Sequence, residues 1–551
     1  ASSPLSAKLA VLSGGWAAEQ DAAADAALGF GSALSAARRL SAMGMVRGQK
    51  ERPLAGIGEV AGEAMYWLLR LGRPRDAALA LEQARALVLT DMIERETLVR
   101  RLREHDPALA ARYSRLVLQL ARTELDALPE SAGDPHPLTY LRGRLDQART
   151  VRALRDEWDA VAERLGRLPE FRALVAEPSF DELSRAGSRV PLLYVAAAGR
   201  TGFALLVTAD RDAPEVVELP GLTQAALDEI AGRYLTAARG LSAPRPGAAR
   251  WHDVLDDTLR RLDEVVMGPI TARLALPGQV ALVPVGRLAL LPLHAAPAAA
   301  DADVTWTYTP NGRIVARHAA VAAASAGGSR RVLLALDAGS GGDRLRLVPA
   351  VEAAVRAHAP GATILPPGAA THEAVLAALK HHDLYHFNCH GQADQKDPLA
   401  GHLRLADGRL TIRDLLGQRL PGRLAILSAC ETGVAGDELP DEVVSLPGAL
   451  LEAGVPGVIS TMWEVDEMAT FLLTARLYEL WVKDRLAPPV ALNRAQRWLR
   501  SRTVAQFDAY LTANGLGRWP RRYGARIAAR KLSECVYRHP DHWAAFTYTG
   551  V

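Results

Sequence analysis

The sequence predicts an all-α N-terminal region and a C-terminal α/β region built on a mainly parallel sheet flanked by helices. From about Ala7 to Leu183, Ala, Leu, Arg and Glu dominate and β-branched runs are rare, which favours helix. From near Ser188 onward, short and almost continuously apolar runs alternate with helical patterns, as in a sheet covered on both faces. The length of 551 residues suggests two to four domains, at roughly 150 residues each.

In the helical region, Met65, Leu68, Leu69, Leu79, Leu87 and Ile93 fall at helical spacings, and Gly72-Arg73-Pro74 divides the stretch into two helices. Leu68, Leu71, Gly72 and Ala84 match the spacing of a tetratricopeptide unit; a generic helical hairpin fits the same residues. Pro135 and Pro137 mark the next break, and an amphipathic stretch follows from Leu141 to Leu165. Strand-like runs then begin at Val190, Phe203, Val280, Val332, Leu384, Leu424 and Val458. Helical patterns at 351–358, 372–380 and 441–453 separate several of them.

Composition excludes several classes. Apolar residues at 49% and charged residues at 23% are ordinary for a folded protein and exclude disorder as the main state. A net charge of +3, from 65 basic and 62 acidic residues, gives no reason to expect direct nucleic-acid binding. The three cysteines, Cys389, Cys430 and Cys535, are too few and odd in number for a disulfide framework and fit a reducing compartment. No run approaches the roughly 18 apolar residues of a membrane span. The start, Ala1-Ser2-Ser3-Pro4, lacks the pattern of a signal peptide. The expectation is a cytoplasmic protein with no membrane segment.

Two strand ends stand out, Asp383-Leu-Tyr-His-Phe-Asn-Cys-His390-Gly391 and Leu424-Ala-Ile-Leu-Ser-Ala-Cys430-Glu-Thr-Gly433. Reactive groups in such sheets collect at the carboxyl ends of strands. If these strands are neighbours, His390 and Cys430 emerge side by side, and an imidazole beside a thiol supplies the base that makes it a nucleophile. The amides of Gly391 and Cys430 are the candidate oxyanion donors.

These segments, together with Asp441-Glu442 before Leu446, Ala453-Gly454-Val455 and Met462-Trp463-Glu-Val-Asp466, resemble the CHAT family. That family comprises caspase-like cysteine peptidases often joined to tetratricopeptide repeats and related to separases. Val283-Pro-Val-Gly-Arg-Leu-Ala-Leu-Leu-Pro292, Thr371-His-Glu-Ala-Val-Leu and the closing His539–Gly550 segment extend the likeness over roughly Pro191 to Val551. Two departures are Leu345–Glu352, where the family's small-residue/Glu pattern is less clear, and Pro447, which sits inside an expected helix. The resemblance implies a caspase-like fold, with His390 as general base, Cys430 as nucleophile and no cofactor. It divides the chain into a helical recruitment or regulatory region (1–185), an N-terminal α/β subdomain (186–325) and a protease core (326–551). It also implies a bacterial stress or defence setting, with a dedicated protein substrate and an activating protein or ligand acting through the helical region.

Other residues carry weaker signals. His381, His382, His386, Cys389, His390 and His402 form a His-rich neighbourhood, but the loop pairs of structural zinc sites are missing, so no metal is expected there. Five acids, Glu431, Asp437, Glu438, Asp441 and Glu442, follow the nucleophile with no Lys or Arg before Leu446. Either Asp441 and Glu442 complement a helix N-terminus just after Pro440, or some of Asp437, Glu438, Asp441 and Glu442 line a pocket selecting Arg or Lys before the cut. The rival cationic pocket would use Arg404, Arg409, Arg413, Arg419 or Arg423. Trp463 walls the substrate cleft or packs in the core. The rival function is a non-catalytic protease-like scaffold that binds protein partners through its helical region.

Overall fold

The computed structural model describes residues 4–43, 57–85, 99, 102–125, parts of 153–168, 178–240, 248–324, 331–337, 339, 345–392, 394, 398–416, 418–428, 445–517 and 530–551. The chain divides into two compact units, Ala1–Phe180 and Asp181–Val551.

The described residues of the first unit are helical. Helices Pro4–Glu19 and Ala23–Met43 pack with almost no space between them, since a Cβ on Gly29 would stand 2.5 Å from Gly14 Cα. Helices Ile57–Arg70 and Pro74–Ala84 form the hairpin expected around Gly72, whose φ of +70° favours glycine. Much of the amphipathic stretch 141–165 lies outside the described residues; Val161 and Leu165 are buried with Leu102, Leu109 and Tyr113.

The second unit carries fourteen described strands. They are β1 Leu192–Ala196, β2 Gly202–Val207, β3 Glu215–Leu219, β4 Gln279–Pro284, β5 Thr305–Tyr308, β6 Val332–Leu336 and β7 Thr363–Leu365, then β8 Leu384–Asn388, β9 Gly391–Gln392, β10 His402–Leu405, β11 Gly408–Thr411, β12 Leu424–Leu427, β13 Gly457–Thr461 and β14 Phe546–Gly550. Eleven form one sheet in the order β3-β2-β1-β4-β5-β14-β13-β12-β8-β6-β7. Strands β13, β12, β8, β6 and β7 are mutually parallel, so their carboxyl ends share one edge. β14 is antiparallel to β13 and parallel to β5, and so joins that half to the rest. The remaining three strands make a small antiparallel sheet, β11-β10-β9.

Every residue of β1, β6, β8, β12 and β13 is buried, which explains the apolar runs of β1, β6 and β12, while β8 also buries His386 and Asn388 and β13 buries Ser460 and Thr461. Leu334, Leu384, Ile426 and Ile459 share one cluster with Val351, Val355, Leu472 and Ala475 from helices Val348–His358 and Glu467–Tyr478. On the other side, Tyr385 Oη donates to Leu379 O at 2.8 Å, tying β8 to helix His372–Leu379.

The helix expected over 441–453 is described only as Leu446–Glu452. Ser445 caps it by accepting Gly448 N, and Pro447 falls in the first turn, where a missing N–H costs nothing. Among the described residues, no helix is long and apolar enough to cross a membrane.

Candidate active site

β8 and β12 are adjacent and parallel, with Leu424 opposite Leu384, Ala425 opposite Tyr385, Ile426 opposite His386 and Leu427 opposite Phe387. Ser428 extends the ladder by donating its amide to Phe387 O at 2.9 Å. The two strand ends singled out in the sequence therefore lie side by side.

His390 follows β8 and is half-buried. Its carbonyl accepts the amide of Arg404 at 2.8 Å, across to β10. Leu403 is the antiparallel partner of Gly391. That bond pattern makes Gly391 and Leu403 a non-hydrogen-bonded pair, so the Gly391 amide points away from β10. Such an amide is placed to meet a ligand approaching the other edge of β9. Cys430 lies outside the described residues, as do Glu431, Asp437, Glu438, Asp441 and Glu442.

Beneath the strand ends runs a buried polar chain that the sequence reading did not anticipate. Tyr478 Oη lies 3.1 Å from His386 Nδ1, and His386 Nε2 lies 3.0 Å from Ser428 Oγ. The His386 and Tyr478 rings also stack at 5.7 Å. Burial lowers the His386 pKa to about 3, so the ring is neutral at physiological pH. A neutral imidazole offers one donor and one acceptor, which two hydroxyls can satisfy together. The chain holds the end of β12 two residues before Cys430.

A second group missed in the sequence is the ion pair beside His390. Asp337 follows β6, accepts Gly339 N at 3.1 Å and accepts Arg404 Nε at 3.2 Å. Arg404 is thus tied to a carboxylate. Arg409 faces it across β10 and β11 on an exposed strand position.

The other histidines of the His-rich neighbourhood have separate protein contacts. His382 contacts Ala378 O at 2.7 Å and Thr363 Oγ1 at 2.9 Å. His402 contacts Ala400 O at 3.0 Å. Cys389 is buried. Trp463 is 1% exposed, packs edge-to-face on Trp251 at 5.6 Å and donates Nε1 to Asp541 O at 3.0 Å. Its ring stands in the core rather than at an open cleft. Asp466 of the same motif caps helix Glu467–Tyr478 by accepting the amides of Met468 and Ala469.

Among solved structures, the Saccharomyces cerevisiae separase–securin complex resembles the chain with a TM-score of 0.50 at 9% identity, covering 95% of this chain and 38% of that one. A second structure of that complex gives a TM-score of 0.49 at 9% identity, with coverage of 95% and 37%. This chain therefore spans less than half the length of the separase chain it resembles, and the likeness is one of fold: a caspase-like sheet flanked by helices. No curated protein matches the sequence. The CHAT domain matches residues 256–551, more than half of the chain and all of the strand ends described above, and on that match the chain belongs to the CHAT domain family.

Proposed function

We propose that the chain is a cysteine endopeptidase acting through His390 and Cys430 on a protein partner. One observation carries the reading. The β8–β12 register keeps a constant offset of 40 residues over four pairs, and the same offset separates His390 from Cys430. Residues level with each other on adjacent parallel strands stand about 5 Å apart, the spacing between strands. That is within reach of a proton transfer once side chains turn toward each other.

In this reading His390 takes the thiol proton, and the Cys430 thiolate attacks the scissile carbonyl. The Gly391 and Cys430 amides hold the oxyanion. His390 then returns the proton to the leaving amine, and water hydrolyses the acyl-enzyme with His390 again as base. The Asp337–Arg404 pair steadies the backbone at His390, because Arg404 also donates its amide to the His390 carbonyl. The acidic segment after Cys430 favours Arg or Lys before the cut. The helical unit Ala1–Phe180 serves recruitment or regulation and supplies no catalytic group.

Peptide-library cleavage tests the reading with the wild-type chain and with Cys430→Ala and His390→Ala. Each variant should lose at least about a thousandfold in turnover while keeping the wild-type circular dichroism. Cleavage by Cys430→Ala at the wild-type rate rejects the dyad. A wild-type Cys430 that no electrophile labels and no peptide engages favours the scaffold instead.

A further inference from the structure

A cluster at the seam of the sheet is not used by the proposed chemistry. Helix Ala248–Leu262 presents His252 and Asp256, four residues apart and so on one face. The short turn Pro540–His542, which leads into β14, brings His539 and Asp541 against them. His252 Nε2 lies 3.2 Å from Asp541 Oδ2, and His539 Nε2 lies 3.2 Å from Asp256 Oδ1. The two imidazoles face each other with centroids 4.2 Å apart. One ligating atom each from His252, His539 and Asp541 falls within 4.8 Å of the others.

Three features fit an ion better than ion pairing alone. First, an edge of 3.2 Å matches the separation of about 3.3 Å between neighbouring ligand atoms around a tetrahedral ion with bonds of about 2.0 Å. Second, His539 Nε2 is a buried atom that lies off the hydrogen-bonding line to Asp256 and makes no hydrogen bond. Third, Asp541 is already oriented from behind. Trp251 Nε1 donates to its other oxygen, Oδ1, at 2.6 Å, and Trp463 Nε1 donates to its carbonyl at 3.0 Å. Fixed outer hydrogen bonds of this kind set a carboxylate for metal ligation.

We propose that His252, His539 and Asp541 bind one divalent transition-metal ion of the zinc class, with its fourth position open to water. The ion fastens helix Ala248–Leu262 to the turn that delivers β14 between β5 and β13. The donor set of imidazole nitrogens and carboxylate oxygens suits Zn²⁺ and Co²⁺. On loading, the Nε2 lone pair of His539 goes to the ion and the ring proton resides on Nδ1. The long 3.2 Å contact from the Asp541 amide to Nδ1 is given up.

Co²⁺ titration of the chelator-treated full chain tests the site, and it requires no proteolysis. One Co²⁺ per chain should bind with the visible absorption of a tetrahedral site, and Zn²⁺ should displace it. Zn²⁺ in excess should raise the thermal midpoint by a few degrees. His252→Gln, whose side chain is 40% exposed and so not needed for folding, should weaken binding at least tenfold. Asp541→Asn keeps an acceptor for Trp251 and should do the same. Cys430→Ala and His390→Ala should bind Co²⁺ as the wild type does. Absence of the cobalt spectrum, or binding unchanged by both His252→Gln and Asp541→Asn, overturns the proposal. So does a spectrum abolished by Cys430→Ala.

Discussion

The Oγ of Ser428 lies 3.0 Å from Nε2 of His386, joining the last described residue of one strand end to the strand that carries His390. Both side chains are buried, and neither hydroxyl nor imidazole can turn to water without disturbing the sheet. Ser428→Ala should therefore leave the His386 Nε2 unpaired, at a cost of about 1–3 kcal/mol. Tyr478→Phe should remove the partner of Nδ1 at a similar cost. Because both act through one ring, the double variant should be less destabilised than the sum. Urea unfolding measures all three; strict additivity would mean that the chain does not act as a unit.

Stability should fall in mild acid because of buried neutral histidines. Burial lowers the pKa of His386 to about 3 and those of His294 and His318 to about 4. In the unfolded chain each titrates near 6.5. The unfolded state therefore takes up protons first, so the stability is whole above about pH 6.5 and is lost as pH falls toward the folded values. Each such histidine costs up to about tenfold in the folding constant per pH unit. Urea midpoints should be level from pH 8 to 7 and should drop between pH 6.5 and 5, above the range of ordinary carboxylates. His386→Gln should make that drop shallower by one histidine's share; an unchanged slope would mean that the ring is charged in the folded state.

The seam between β13 and β14 should tolerate no added methyl group at Gly457. A Cβ there would stand 2.1 Å from Tyr548 Oη and 2.7 Å from its Cζ. The ring is buried and its hydroxyl donates to Val551 O at 2.7 Å, so it cannot swing aside freely. Gly457→Ala should destabilise by about 1–3 kcal/mol or more. Tyr548→Val in the same chain should recover part of that loss, as thermal melting of the two variants would reveal. Full additivity of the two changes would contradict the clash.

If the acidic segment selects the substrate, a charge reversal among Asp437, Glu438, Asp441 and Glu442 should lower turnover of peptides with Arg before the cut by about 10–100-fold. Labelling of Cys430 by a small electrophile should be unchanged. Dominant cleavage after Asp, Glu or a large apolar residue in the wild-type profile would refute the acidic pocket.

Strands buried on both faces were legible where their runs are apolar throughout; Val332–Leu336 and Leu424–Leu427 are the plainest cases. Strands with one wet face were not. Glu215–Leu219 alternates exposed Val216 and Glu218 with buried Val217 and Leu219, and β10 and β11 each carry one arginine, Arg404 and Arg409. The strand ends bearing His390 and Cys430 could be picked out because a reactive residue follows each apolar run. Tyr478 and Asp337 could not, and Arg404 was singled out for a cationic pocket rather than as the partner of Asp337. Tyr478 reaches His386 across 92 residues by the packing of helix on sheet, and Arg404 reaches Asp337 across 67 by the meeting of β10 with the end of β6. His252 and His539, 287 positions apart in the chain, have no shared motif either.

The position of β14 also bears on how the molecule is made. It comes later in the chain than every other strand, yet it sits sixth in the order of eleven. On the ribosome, β13 must wait with an open edge while some 85 further residues emerge between Thr461 and Phe546. Its natural partner arrives late, and an unpaired edge invites pairing with other chains in the meantime. The half that carries His390 and the half built on β1, β4 and β5 can each form early, but they become one sheet only when Phe546–Gly550 slots between them. Completion of the sheet, and any activity that depends on it, is thereby deferred until the long segment after β13 has been translated.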